Sequence, residues 1–120
     1  MHRVEDRERA AHPEDLNRLV LKRLNTADVD GLVALYEPGA VLALPGGRVA
    51  VGHHEIRAAY AQLVAGRPEF LPGTVNPAVR NGELAITSVR IGGGDFTVEV
   101  ARRQADGTWL WVIDQPSLLS

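Results

Sequence analysis

The sequence of 120 residues contains no cysteine, which excludes disulfides, thiolate metal sites and cysteine nucleophiles. It has no apolar run approaching the ~20 residues that a membrane-spanning helix needs. Its opening residues, Met1, His2, Arg3, Val4, Glu5 and Asp6, are too charged for a secretory signal. A cytoplasmic location with no membrane partner is therefore expected. A large charge of one sign is missing too: 13 Lys and Arg face 15 Asp and Glu, for a formal net charge of −2, so nothing steers the chain toward nucleic acid. No repeat, low-complexity segment or linker interrupts the chain, and a second domain does not fit. What is present is a composition 45% hydrophobic, enough for one core, since a chain of this mass buries roughly two thirds of its unfolded surface.

Residues 1–11 carry dense alternating charge (Glu5, Asp6, Arg7, Glu8, Arg9) and too little apolar surface to offset ordering; they read as a flexible tail ahead of one domain at 12–120. Pro13 opens a helix with Glu14 and Asp15 at its start and Leu16, Leu19, Val20 and Leu24 at helical spacing. Thr26 or Asp28 caps a second, short helix whose face is Val29, Leu32, Val33 and Tyr36, stopped by Pro38-Gly39. Two strands follow around Pro45-Gly46-Gly47, then a third helix with Ile56, Ala59, Tyr60, Leu63 and Val64 on one face. The rest reads as strand and turn: Phe70 to Val75, Leu84 to Ile91, Phe96 to Gln104 and Thr108 to Asp114, with turns at Asn76-Pro77, Asn81-Gly82, Gly92-Gly93-Gly94-Asp95 and Asp106-Gly107. Helices first and antiparallel strands afterwards make an α+β layer.

The last two strands are apolar on both faces. Phe96, Val98 and Val100 alternate with Thr97, Glu99 and Ala101, while Trp109, Trp111 and Ile113 alternate with Leu110, Val112 and Asp114. Helices can cover only one face, so the other would expose a tryptophan-rich patch. A homodimer through Phe96, Val98, Trp109 and Trp111 is the expected solution, the alternative being a terminal segment folded over the tryptophans.

Leu24 to Tyr36, Ala40-Val41-Leu42, Pro45-Gly46, Gly52 and Ile56-Arg57-Ala58-Ala59-Tyr60, with the closing Val100-Ala101-Arg102-Arg103, Asp106-Gly107-Thr108-Trp109 and Ile113-Asp114-Gln115-Pro116, resemble the ketosteroid isomerase and SnoaL-like branch of the nuclear transport factor two-like superfamily. The resemblance implies a cone: three N-terminal helices on a strongly curved, mainly antiparallel sheet that encloses an apolar pocket, lined here by Val20, Tyr36, Leu44, Tyr60, Phe70, Thr87, Val89, Thr97, Ala101 and Val112. It specifies function poorly, because the superfamily includes isomerases, cyclases, dehydratases and binding modules. Where the isomerases keep an oxyanion-binding tyrosine this chain has Val20, and where they keep the proton-shuttling aspartate it has Leu44, so ketosteroid isomerisation is not expected. Tyr60 matches an accessory tyrosine, and Glu99 lies where isomerases and some cyclases carry an aspartate.

An inward Glu99 would be desolvated and its pKa raised toward the range useful for proton transfer, with Asp114 as a second carboxyl of an acid/base pair. The competing reading pairs Glu99 with Arg90, Arg102 or Arg103 and gives Asp114 only local backbone bonds. His53-His54-Glu55 lacks the spacing of a metal site, the glycine turns lack a phosphate-binding context, and Ser88, Ser117 and Ser120 have no His and acidic partner nearby in sequence. No metal or cofactor is expected. The expectation is a protein that binds a small apolar or cyclic molecule, with cofactor-free proton transfer as its chemistry; a non-catalytic binding or dimeric association module is the alternative.

Overall fold

The computed structural model describes residues 7–117. Helix α1 (Asp15–Asn25) and the short α2 (Val29–Val33) precede strand β1 (Tyr36–Ala43), β2 (Val49–Val51) and helix α3 (Gly52–Val64). Strands β3 (Thr74–Val75), β4 (Val79–Asn81), β5 (Leu84–Arg90), β6 (Phe96–Arg103) and β7 (Trp109–Gln115) complete the chain. The sheet runs β2-β1-β7-β6-β5-β3, with β4 also on β5. Among the described residues only β1 and β7 pair in parallel; every other neighbour is antiparallel. This is the α+β arrangement expected, with a mixed, mainly antiparallel sheet.

The helices bury most of the stripes their spacing predicts, Leu63 on α3 being the exception at half exposed. Leu16, Leu19, Leu32, Val33, Ile56 and Tyr60 are all buried, against an inner sheet face built from Tyr36, Ala40, Leu42, Ala85, Ala101, Trp109 and Trp111. Asp28 caps α2 by accepting from the Gly31 amide at 3.1 Å. A Cβ at position 31 would lie 2.2 Å from the Asp28 carboxylate, so a larger residue there would have to displace this cap.

Four local expectations are corrected. Tyr36 lies in β1 rather than on α2. Between Phe70 and Val75 only Thr74 and Val75 are strand, and β4 is an element the turn signals at Asn76-Pro77 and Asn81-Gly82 concealed. Residues 7–11 are not a loose tail. Arg7 grips Asp28 through two bonds of 2.8 and 2.7 Å, the Ala10 side chain is in the core, and its carbonyl accepts from the Trp109 amide at 3.0 Å. The buried Arg23 guanidinium ties the segment down through the carbonyls of Gly31 and Glu8. The flexible-tail expectation rested on the segment having too little apolar surface to offset ordering, whereas a carboxylate for Arg7 and carbonyls for Arg23 supply charge-assisted bonds that hold it. The first six residues of that tail lie outside the described residues.

The fourth correction concerns the tryptophans. Trp109 and Trp111 are 2% and 1% exposed and face the helices, not a dimer partner. Alternation would then turn Ile113 inward with them, yet Ile113 is half exposed and Asp114 is buried. A bulge explains the change: Ala101 pairs with Trp111 but Val100 pairs with Ile113, leaving Val112 unopposed. One extra residue shifts the side-chain phase, so Trp109, Trp111 and Asp114 share the inner face. Phe96 and Val98 do point outward, beside Ile86, Val100, Leu110 and Ile113.

Candidate functional site

Between α1, α3 and the inner sheet face opens a mostly apolar cavity of about 1420 Å³. Its volume exceeds the ~300–1000 Å³ of ordinary small-molecule sites. Val20, Leu44, Tyr60, Phe70, Val89 and Thr97 line it, as do Glu99 and Asp114. Four other residues expected on the wall do not. Tyr36, Thr87 and Ala101 are buried behind it as core, and Val112 sits at the bulge, with Trp111 on the wall instead.

Strand pairing brings the two carboxyls together. Glu99 on β6 is the register partner of Asp114 on β7, and directly opposed side chains on one face stand with Cβ atoms roughly 5 Å apart. They are 3% and 5% exposed. Among the described residues neither is ion-paired: Arg102 turns to Glu37 at 3.0 Å and Arg103 to Glu83 at 3.6 Å. The competing reading, in which arginines neutralise Glu99, is therefore not the arrangement the fold adopts.

Each carboxyl has its own set of donors. Glu99 Oε1 accepts from Asn17 Nδ2 at 3.0 Å and from Thr87 Oγ1 at 2.5 Å; Thr87 in turn accepts from Trp111 Nε1 at 3.2 Å. Asp114 Oδ2 accepts from the Tyr36 hydroxyl, whose oxygen lies 2.5 Å from the Tyr60 hydroxyl. Burial pushes the Glu99 pKa up, against bonds from Thr87, Thr97 and Asn17 that stabilise its charge. Asp114 is pushed up to about 7, chiefly by burial and then by the charge of Glu99, with the Tyr36 bond opposing. Burial also raises both tyrosines above their ordinary range, so near neutral pH they act as neutral hydroxyls. Two neighbouring carboxyls thus share one face in unlike surroundings, both raised by burial and each held by its own donors.

The sequence reading missed Asn17, Trp111 and the Tyr36 bridge. Asn17 was legible in part, since it falls at i, i+3, i+4 and i+7 with Val20, Leu21 and Leu24, all on the cavity wall. Its Oδ1 is buried without a partner, an arrangement that costs about 1–3 kcal/mol. His53 binds the Tyr36 carbonyl at 2.8 Å, anchoring the start of α3. Among the described residues no cluster of three or more His, Cys, Asp or Glu side chains could hold a metal ion, and no helix is long and apolar enough to cross a membrane.

Comparison with curated proteins gives no significant match. Solved structures do match. A protein from Thiobacillus denitrificans, named as a candidate calcium/calmodulin-dependent protein kinase type II association domain, superposes with a TM-score of 0.76 at 17% identity, covering 91% of this chain and 96% of that one. A ketosteroid isomerase-like protein from Erwinia carotovora gives 0.66 at 22% identity, with 84% and 88% covered. A candidate dehydratase of the NTF2-like family from Streptomyces avermitilis gives 0.67 at 17% identity, with 83% and 89% covered. At such identities the likeness establishes the fold. The SnoaL-like domain model matches residues 17–115, which is most of the chain and includes both carboxyls, so the chain belongs to the SnoaL-like domain family.

Proposed function

We propose that the protein binds a largely apolar, ring-sized molecule and moves protons on it without a cofactor, Glu99 serving as base and Asp114 as acid. The observation that carries this reading is the pair of unneutralised, buried carboxyls side by side on the wall of one apolar cavity. The charge of Glu99 is among the causes that raise the Asp114 pKa, and the donors Asn17 and Thr87 favour the charged form of Glu99 and keep it oriented. The reaction class is proton abstraction next to a carbonyl, the step common to isomerisation, cyclisation and dehydration.

The test follows deuterium exchange by NMR at the carbon beside the carbonyl in a panel of cyclic ketones in D2O. Exchange is expected to be catalysed, and Glu99→Gln and Asp114→Asn are each expected to slow it at least ~100-fold. The rate should fall on the alkaline side as Asp114 loses its proton near 7. Exchange equal in the native protein and both variants would leave a binding protein without this chemistry.

The outer sheet face supports an association role beside this one. Ile86, Phe96 and Ile113 are exposed there next to Val98 and Val100, an apolar patch of the kind that marks interaction surfaces. We assign a homodimer to that face, without the tryptophans. Ile113→Glu is expected to yield a folded monomer in sedimentation velocity; a native chain that already sediments as a monomer would end the assignment.

A further inference from the structure

Three hydroxyl and carboxyl groups form a line behind the cavity wall: Tyr60 on α3, Tyr36 on β1 and Asp114 on β7. Only the two ends reach the cavity, because Tyr60 and Asp114 line it and Tyr36 does not. Tyr36 has one proton and two partners, so the line can point in only two directions. With Asp114 ionised, Tyr36 donates to the carboxylate, the stronger acceptor. The 2.5 Å contact between the tyrosine oxygens then requires Tyr60 to donate to Tyr36, and no hydroxyl hydrogen is left for the cavity. With a proton on Asp114 Oδ2 the line reverses: Asp114 donates to Tyr36, Tyr36 donates to Tyr60, and the Tyr60 hydrogen is released toward a ligand.

We infer that Tyr60 is the ligand-facing end of a relay whose polarity is set by the proton on Asp114, so that this end of the cavity offers a donor to a carbonyl oxygen when Asp114 is protonated and acceptors alone when it is ionised. The inference rests on the reading of Asp114 as the acid, and it makes Tyr60 a specificity-determining group. Asp114 is faced by Glu99 from β6, Tyr36 from β1 and Tyr60 from α3. The other titratable side chains on the cavity are Arg18 on α1, Arg48 ahead of β2, and His54 and Glu55 on α3. Of these, Arg18 is paired with Glu8 and Asp15. Among the described residues no cation is bonded to the Tyr60, Tyr36 or Asp114 side chain, and burial with the charge of Glu99 favours the protonated form of Asp114.

The proton count closes. As Glu99 removes the carbon-bound proton, that electron pair forms the new C=C and the carbonyl π pair moves to oxygen. The oxygen takes the Tyr60 proton, Tyr36 replaces it, and Asp114 replaces that of Tyr36. The net change moves one proton from Asp114 to the ligand oxygen and one from the ligand carbon to Glu99.

The test uses 1-tetralone, which only accepts, and 1-tetralol, which also donates, titrated into the native protein between pH 5.5 and 8.5 with tryptophan fluorescence as readout, Trp111 being on the wall. A ligand that binds only the protonated form, with Asp114 near 7, loses about thirtyfold in affinity across that range. The tetralone is expected to show this, and the tetralol less than about threefold. Tyr60→Phe should hold the tetralone at its weak alkaline affinity throughout, whereas Tyr36→Phe removes the acceptor that engages the Tyr60 hydrogen and should leave tetralone binding strong and nearly independent of pH. In the native protein carrying ¹³Cζ-tyrosine, the Tyr60 resonance should shift with the same midpoint as tetralone binding. A Tyr60→Phe protein that keeps the thirtyfold slope would overturn the relay and leave Asp114 donating directly, with the acid–base pair intact. A native protein that binds neither probe, or binds both without pH dependence, would remove relay and pair together.

Discussion

The Asp114→Asn variant is expected to resist urea better than the native protein at pH 8 and to lose most of the native protein's pH dependence. Asp114 titrates near 7 in the fold against an ordinary 3.8, and at about 1.4 kcal/mol per unit the gap is worth about 4 kcal/mol. The sign follows from where the proton sits. Between those two values the folded chain keeps a proton that the unfolded chain has released, so stability falls as the pH rises from about 4 to about 7 and levels off beyond. Glu99, also raised by burial, acts in the same direction. Asp28 acts oppositely: its pKa is lowered by the bond from Arg7, so its contribution is present above about 4 and is lost as the pH falls further. Urea midpoints should therefore peak in mild acid. The asparagine carries no charge to desolvate and can still accept from Tyr36, which removes the Asp114 part of the slope. A native midpoint that rises steadily from pH 5 to pH 8 would show that the Asp114 carboxyl is hydrated rather than buried.

Trp111→Glu and Ile113→Glu are expected to part company completely, although simple alternation puts both side chains on one face. Trp111 packs its ring 5.4 Å from that of Tyr36 and donates to Thr87. Removing a buried aromatic costs about 3–5 kcal/mol, and an unpaired buried charge adds several more. Against the ~5–15 kcal/mol that holds a domain together, Trp111→Glu is expected to leave no cooperative unfolding transition by circular dichroism. Ile113→Glu, outside the core, should keep a cooperative transition, lowered by no more than the loss of the dimer contact. Equal damage from both would place Ile113 in the core and dissolve the bulge at Val112.

How far the site could be read in advance depends on which residues carry it. Glu99 was legible because β6 has unbroken alternation: Thr97, Glu99 and Ala101 share one face in the sequence and in the fold. Asp114 was placed on the correct face for an incomplete reason. Alternation set it opposite Trp109 and Trp111, whereas the unopposed Val112 brings all three inward together. A bulge has no signature in a string of β-branched and aromatic residues, since what creates it is the partner strand's register. Tyr36 is the reverse case. It completes a helical i, i+7 pattern with Val29, yet it belongs to a strand, because pairing with Trp111 and bonding to Asp114 outweigh the weak preference of a five-residue helix.

The arginines near the N-terminus show the same limit. Arg7, Arg9, Arg18 and Arg23 are indistinguishable as sequence, but only Arg23 and Arg7 are folded onto carbonyls and a carboxylate out of water, while Arg9 and Arg18 remain at the surface. Burial is a property of where neighbouring elements lie, and composition does not contain it.

By itself the order of residues determined the class of fold, the three helices, most of the strands and the presence of an acidic side chain among apolar ones, because periodicities of 3.6 and 2 and the chemistry of turns are local. Tertiary structure decided which faces are inner, that the two carboxyls stand side by side out of water, and which hydroxyls bond to Asp114. Those depend on register, desolvation and the approach of residues as far apart as Asn17 and Glu99 or Tyr36 and Asp114, and long-range proximity is what a linear pattern cannot carry.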